Sequence, residues 1–237
     1  MTSYVAVQRA IRMVADPERA AVSRRFFKTN PGEYGAGDRF LGLTVPQQRT
    51  IAKRFPDLPR ADAQRLLASA VHEDRLVALF ILIAQFTRGD RAVRRDIFRL
   101  YLAQTAQVNN WDLVDASAYQ IVGAYLRDHP RGVLLRLARS RHLWDRRIAI
   151  VSTMAFIARG EFDDTLAIAR VLLRDEHDLI RKATGWMLRE VGKRSRSTLE
   201  GFLDAHAHAM PRTMLRSAIE RLPECTRRAY RSQRAPA

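Results

Sequence analysis

HEDRLVALFILI (72–83), NWDLVDASAYQI (110–121), LWDRRIAIVSTM (143–154) and EHDLIRKATGWM (176–187) superpose when aligned on their third residue, an aspartate in each. Asp74, Asp112, Asp145 and Asp178 follow one another at intervals of 38, 33 and 33 residues. After each acid, apolar residues recur at three- and four-residue spacing, the period of an amphipathic helix. A unit of helix, short turn, acid and apolar helix is the signature of HEAT-like helical repeats, here with a shorter period than usual. The expected fold is therefore all-α, a curved α-solenoid whose aligned helices line the concave face.

Working outward, the same periodicity predicts helices over 3–14, 17–29, 46–54, 59–69, 73–87, 90–105, 111–127, 130–139, 144–158, 161–174, 178–193, 196–208 and 211–221. No period-2 run bounded by hairpin turns competes with them. The clearest break is TNPGEYGAGDRFLG (29–42), where one proline and four glycines forbid a continuous helix. Residues 1–224 are expected to form a single domain, and 225–237 (CTRRAYRSQRAPA) a frayed basic tail. An aspartate at a helix start caps free N–H groups and suits the positive end of the dipole, which is the plain explanation for Asp74, Asp145 and Asp178.

Forty-one basic residues stand against 25 acidic ones, a net charge of +16, and that excess points to a phosphate-rich partner on a basic concave face. All but four of the basic residues are arginine, whose planar fork meets phosphate oxygens bidentately. The single Cys225 excludes an internal disulfide framework and a cysteine-based zinc site. The closely spaced His206 and His208 read as solvated or capping groups, not as metal ligands. No stretch approaches the ~18 apolar residues of a membrane span, and the amphipathic N-terminus does not read as a signal peptide. A cytoplasmic protein with no membrane partner is expected.

Three tryptophans mark the aligned helices: Trp111, Trp144 and Trp186. Asp115 is the acid that the repeat does not account for. It lies three residues after Asp112, as the third residue of a capping box would. It also lies four residues after Trp111, which sets carboxylate and indole one turn apart on one helix face. Both readings of Asp115 stand at this point. A carboxylate between indole faces beside DNA suits one reaction in particular. Purines alkylated at N3 or N7 are cationic and already good leaving groups, and glycosidic cleavage leaves an oxocarbenium-like sugar. That developing charge needs negative charge and π-electron density nearby.

WDLVD (111–115), W-x-R-R-I-A-I (144–150) and KATGWMLRE (182–190) resemble signature segments of the AlkD-like DNA alkylation repair proteins, bacterial HEAT-like-repeat glycosylases. The likeness runs from FFKTNPGEYGAGDRFLGLTVPQQR (26–49) to PRTMLRSAIERLP (211–223). It implies excision of N3- and N7-alkylated purines from double-stranded DNA with the lesion left stacked. It also implies tolerance of bulky lesions and no metal or organic cofactor. Asp115 would be the catalytic carboxylate, Trp111 and Trp186 the aromatic walls, and Arg147 the arginine on the DNA backbone. Arg146, Lys182 and Arg189 are expected to add DNA contacts. The family's N-terminal aromatic would fall at Phe26 or Phe27, where this chain lacks the tyrosine hydroxyl. Trp144 is expected mainly to pack.

Two rivals remain on the sequence alone. One is a non-catalytic binder of damaged or branched DNA using the same basic face. The other is a protein–protein scaffold, which at this charge would need an acidic partner. A solenoid gripping a duplex is expected to act as a monomer, since a second subunit would compete for the concave face.

Overall fold

A computed structural model describes residues 3–232, and the chain divides into two compact units with the boundary between Ser117 and Ala118. The first unit holds α1 (Tyr4–Arg12), α2 (Pro17–Phe26), α3 (Val45–Lys53), α4 (Arg60–Leu67), α5 (His72–Arg88), α6 (Arg91–Ala103) and most of α7 (Trp111–Ala118). In the second, a π-helical turn (Tyr119–Gly123) leads to α8 (Ala124–Leu126), α9 (Gly132–Ala138), α10 (Leu143–Ser152), α11 (Met154–Ile157) and α12 (Asp163–Leu172). It continues through α13 (Asp178–Arg194), α14 (Arg196–His206), α15 (Arg212–Ala218) and α16 (Glu224–Ser232). The fold class is all-α, as the periodicity predicts. Among the described residues the nearest thing to a strand is one isolated bridge between Arg39 and Val71.

α5 is the central helix of the first unit. It packs against α1, α3, α4 and α6, and every residue from His72 to Leu82 is buried. The run of apolar side chains from Leu76 to Leu82 explains the second half of that burial. The first half is polar: His72, Glu73, Asp74 and Arg75 are all within 3% of full burial. Buried polar groups persist only when partnered, and each of the four has partners within the first unit. Glu73 accepts from the backbone N–H groups of Leu41, Gly42 and Leu43 at 3.0, 2.8 and 3.3 Å. It thereby pins the end of the glycine-rich break. Gly42 there has φ +87°, and a Cβ on it would come within 2.2 Å of the Asp16 carbonyl oxygen.

The aligned aspartates do lie in first helical turns, but the expectation that they cap free N–H groups needs correcting. Asp74 and Asp145 accept a serine hydroxyl from five residues back, Ser69 at 2.7 Å and Ser140 at 2.8 Å. Each serine oxygen in turn accepts the N–H two residues on, from Val71 and from His142, both at 3.1 Å. The acid therefore steadies the turn through the serine. In the fourth repeat His177 caps α13 with its Nδ1, while Asp178 pairs with Lys182 at 2.7 Å.

Two further expectations are revised. The helix anticipated over 111–127 is interrupted by the π-turn, where Gly123 admits close packing: a Cβ there would meet the Ser152 carbonyl oxygen at 2.2 Å. The tail is not frayed as far as it is described. Glu224–Ser232 forms α16, and Tyr230 is buried in the core with Leu203, Phe202 and Leu199. Its hydroxyl donates to Asp204 at 2.7 Å. A single buried aromatic anchors a helix half of whose other residues are charged. Residues 233–237, also assigned to the tail, lie outside the described residues.

Candidate functional site

In the first unit, Phe26, Phe27, Trp111 and Asp115 are gathered by the end of α2 and the start of α7. Trp111 stacks on Phe27 with ring centroids 5.3 Å apart and planes 20° from parallel. Phe26 meets the same indole edge-on at 5.8 Å and is 62% exposed. The three rings offer an aromatic surface, with Phe26 outermost and Trp111 half-buried. Both candidate N-terminal aromatics thus touch Trp111, one as its stacking floor and one at its edge.

Asp115 is half-buried on α7, one turn beyond Trp111. Within reach of its charge is the fully buried Tyr101 of α6, whose hydroxyl meets Ser117 Oγ at 2.8 Å. Burial pushes the Tyr101 phenol up from its ordinary range, and the negative charge of Asp115 adds to that shift. Tyr101 therefore stays a neutral hydroxyl.

Below the aromatic layer is a polar cluster that sequence reasoning missed. Phe27 stacks on Phe40 at 5.0 Å, and His72 packs against both rings, 4.5 Å from Phe40 and 5.1 Å from Phe27. The His72 ring bridges two carboxylates, Nδ1 to Asp38 at 3.1 Å and Nε2 to Asp112 at 2.8 Å. Asp38 also accepts from Arg75 at 2.7 Å and from Asn110 at 3.3 Å. Burial disfavours a charged imidazole. Even so, the charge and hydrogen bond of Asp112, joined by the hydrogen bond to Asp38, outweigh burial and raise the His72 pKa to about 9. Burial likewise pushes the Asp38 carboxyl up, but His72 and Arg75 together hold it below its ordinary value. The only hint of this cluster in the sequence is four titratable residues in succession at a helix start, which reads equally well as a solvated first turn.

The second unit carries Trp144, Arg146, Arg147, Lys182, Trp186 and Arg189. Trp144 is buried at 5% exposure, as expected of a packing residue. Arg147 is equally buried and donates to the Leu179 carbonyl, tying α10 to the start of α13. Arg146 binds Asp175 at 2.6 Å and the carbonyls of Ser140 and Arg141 at 3.1 and 2.9 Å. Arg189 pairs with Glu220, whereas Lys182 is exposed on the surface of α13. Trp186 is half-buried and donates its indole N–H to Glu190 at 3.2 Å, and Glu190 also holds Lys193 at 2.7 Å.

Gly185, next to Trp186, lets α15 approach α13: a Cβ there would sit 2.4 Å from the Met214 carbonyl oxygen and 2.6 Å from Ser217 Cβ. Gly185→Ala is therefore expected to destabilise the chain by about 1–3 kcal/mol despite alanine's better helix propensity. Urea unfolding with both CD and tryptophan fluorescence checks this, and an unchanged or raised midpoint contradicts the close approach.

The family model whose description is "DNA alkylation repair enzyme" matches residues 7–222 of the chain. Among solved structures, the chain is similar to one described as a predicted DNA alkylation repair enzyme from Enterococcus faecalis, with a TM-score of 0.68. That match is 18% identical and covers 89% of this chain and 97% of the other, a likeness of fold alone. No curated protein sequence matches the chain.

Proposed function

Because the chain belongs to the DNA alkylation repair enzyme family, we propose that it is a monofunctional glycosylase for cationic N3- and N7-alkylated purines in double-stranded DNA. The observation that carries this reading is the pairing of Trp111 and Asp115 one turn apart on α7, with the exposed Phe26 against the indole edge. A carboxylate beside aromatic faces, in a chain of net charge +16, suits a cationic transition state on a polyanion.

The step is hydrolytic. The C1′–N bond breaks, and its electron pair passes to the purine ring and cancels the ring's positive charge. The deoxyribose acquires oxocarbenium character, which Asp115 stabilises. A water oxygen, oriented by the same carboxylate, bonds to C1′ and loses its proton to Asp115 or solvent. The products are a neutral alkylpurine and an abasic site, and the phosphodiester strand stays intact. Because the base leaves without being protonated, neutral damaged bases such as uracil are poor substrates. Catalysis from the sugar side needs no extruded base and tolerates bulky adducts. Trp186 serves in this reading as the second aromatic wall. Arg147 contacts the DNA backbone with a guanidinium already anchored on Leu179, while Arg146 and Arg189 add neighbouring positive charge. The protein acts as a monomer.

The test is release of N7-methylguanine and N3-methyladenine from methylated duplex by the purified chain. Base release without strand cleavage is expected; folded protein that binds the duplex but releases no base overturns the enzymatic reading in favour of a DNA-structure binder. Lys182→Ala, on an exposed side chain, is expected to lower the slope of log affinity against log salt by about one, equally on damaged and undamaged duplex. An unchanged slope removes Lys182 from the DNA contacts.

A further inference from the structure

We propose that His72 is the positioning residue of this site. As a doubly hydrogen-bonded imidazolium it clamps the segment around Asp38 to the first turn of α7, and so holds Trp111 and Asp115 in place. The inference rests on the glycosylase reading only for its consequence in catalysis. The clamp itself follows from hydrogen-bond chemistry.

Both partners of the ring are carboxylates, and a carboxylate only accepts. A neutral imidazole has one N–H and could satisfy Asp38 or Asp112 but not both. With Nδ1 at 3.1 Å from one acid and Nε2 at 2.8 Å from the other, both contacts are hydrogen bonds to ionised carboxylates only when both nitrogens donate. The charged groups facing the ring are Asp38 from within the glycine-rich break, Asp112 from α7 and Arg75 one turn along α5. Glu73 turns instead to the backbone of 41–43. Two acids and two bases in this cluster balance only when His72 carries its proton, which is why the cluster can be buried at all.

The clamp bears on the site through geometry. Asp112 lies immediately after Trp111, and Asn110, immediately before it, donates to Asp38 and accepts the Trp111 N–H at 2.8 Å. The indole is thus flanked in sequence by two residues bound to one buried cluster. From the other side, Phe27 is sandwiched between Trp111 and the Phe40–His72 layer. Asp115 follows on the same helix, so a shift of the first turn of α7 moves carboxylate and indole together. Loss of the His72 proton removes one of the two imidazole hydrogen bonds that join Asp38 to Asp112, and loosens that turn.

The experiment is a pH titration of the full chain followed by nitrogen-15 NMR, with base release measured in parallel under single-turnover conditions. The His72 ring is expected to show two N–H groups at pH 7.5 and to lose one with a midpoint near 9. The Trp111 indole resonance, identified by Trp111→Phe, is expected to shift with the same midpoint. Asp112→Asn keeps an acceptor for Nε2 but removes its charge, and is expected to bring both midpoints down by about one unit or more. Asp38→Asn, which removes the charge on the Nδ1 side, is the second variant should the first not fold. Base release is expected to fall about fivefold or more between pH 7.5 and 10, with that fall moved to lower pH in either variant. A neutral His72 at pH 7.5, or a Trp111 resonance that ignores its titration, overturns the proposal. Absence of base release at every pH, with the two titrations still coupled, refutes the glycosylase reading and leaves the clamp standing.

Discussion

Asp115→Asn is expected to release N7-methylguanine from methylated duplex at least about a hundredfold more slowly than the unsubstituted chain, a loss of about 2.7 kcal/mol or more of transition-state stabilisation. The asparagine side chain matches the carboxylate in size and keeps hydrogen-bonding capacity, so the half-buried position on α7 is preserved. What disappears is the negative charge. The stabilisation is realised only as the sugar becomes cationic, so the loss should fall on the single-turnover rate, with duplex affinity within about twofold. Removal of a negative charge can even tighten DNA binding slightly, a direction opposite to the rate effect. A rate within about threefold of the unsubstituted chain keeps the enzyme but takes the catalytic role away from Asp115. A parallel loss of rate and thermal stability assigns Asp115 to the helix start, the alternative its spacing from Asp112 leaves open.

The second large effect concerns the fold. Glu73→Ala is expected to destabilise the chain by about 3–5 kcal/mol, because it strips three backbone N–H groups of their acceptor where water cannot replace it. Glu73 is 1% exposed, and the N–H groups of Leu41, Gly42 and Leu43 converge on its carboxylate. Glu73→Gln should cost much less, about 1–2 kcal/mol, since one amide oxygen can take the place of Oε1, which receives all three. The ordering of the two variants is the sharp part. If the alanine variant unfolds at the same urea concentration as the glutamine variant, the bonds to 41–43 do not carry the stabilisation assigned to them. Because this segment also holds Asp38 and Phe40, Glu73→Gln should leave the Trp111 indole resonance in place, whereas the alanine variant should broaden it.

Much of this architecture is legible in the chain itself, and the particular failures are instructive. Helix positions follow from apolar spacing, and all thirteen anticipated helices find a counterpart within a few residues. α16 was missed because a helix anchored by Tyr230 alone has almost no apolar periodicity to read. The π-turn after α7 leaves the apolar pattern nearly intact, and only the close contact at Gly123 betrays it. At the site, Trp111 and Asp115 were legible because an i,i+4 pair shares a face on any helix. Phe27 was legible only as one of two candidates. Its adjacency to Trp111 joins residues more than eighty positions apart, which no helical period specifies.

His72 shows where that boundary falls. In the sequence it is the first of four titratable residues at a helix start, indistinguishable from a solvated turn. In the folded first unit its ring spans Asp38 and Asp112, 34 and 40 residues away. Local periodicity and turn chemistry were enough to determine the helical class, the order of the elements and the face shared by Trp111 and Asp115, because those depend on neighbours within a turn or two. Which buried charges pair, which arginines are tied to backbone carbonyls and which helix start is clamped were decided by tertiary packing alone. Those outcomes depend on the desolvation of groups brought together from distant parts of the chain, and no short-range preference encodes that cost.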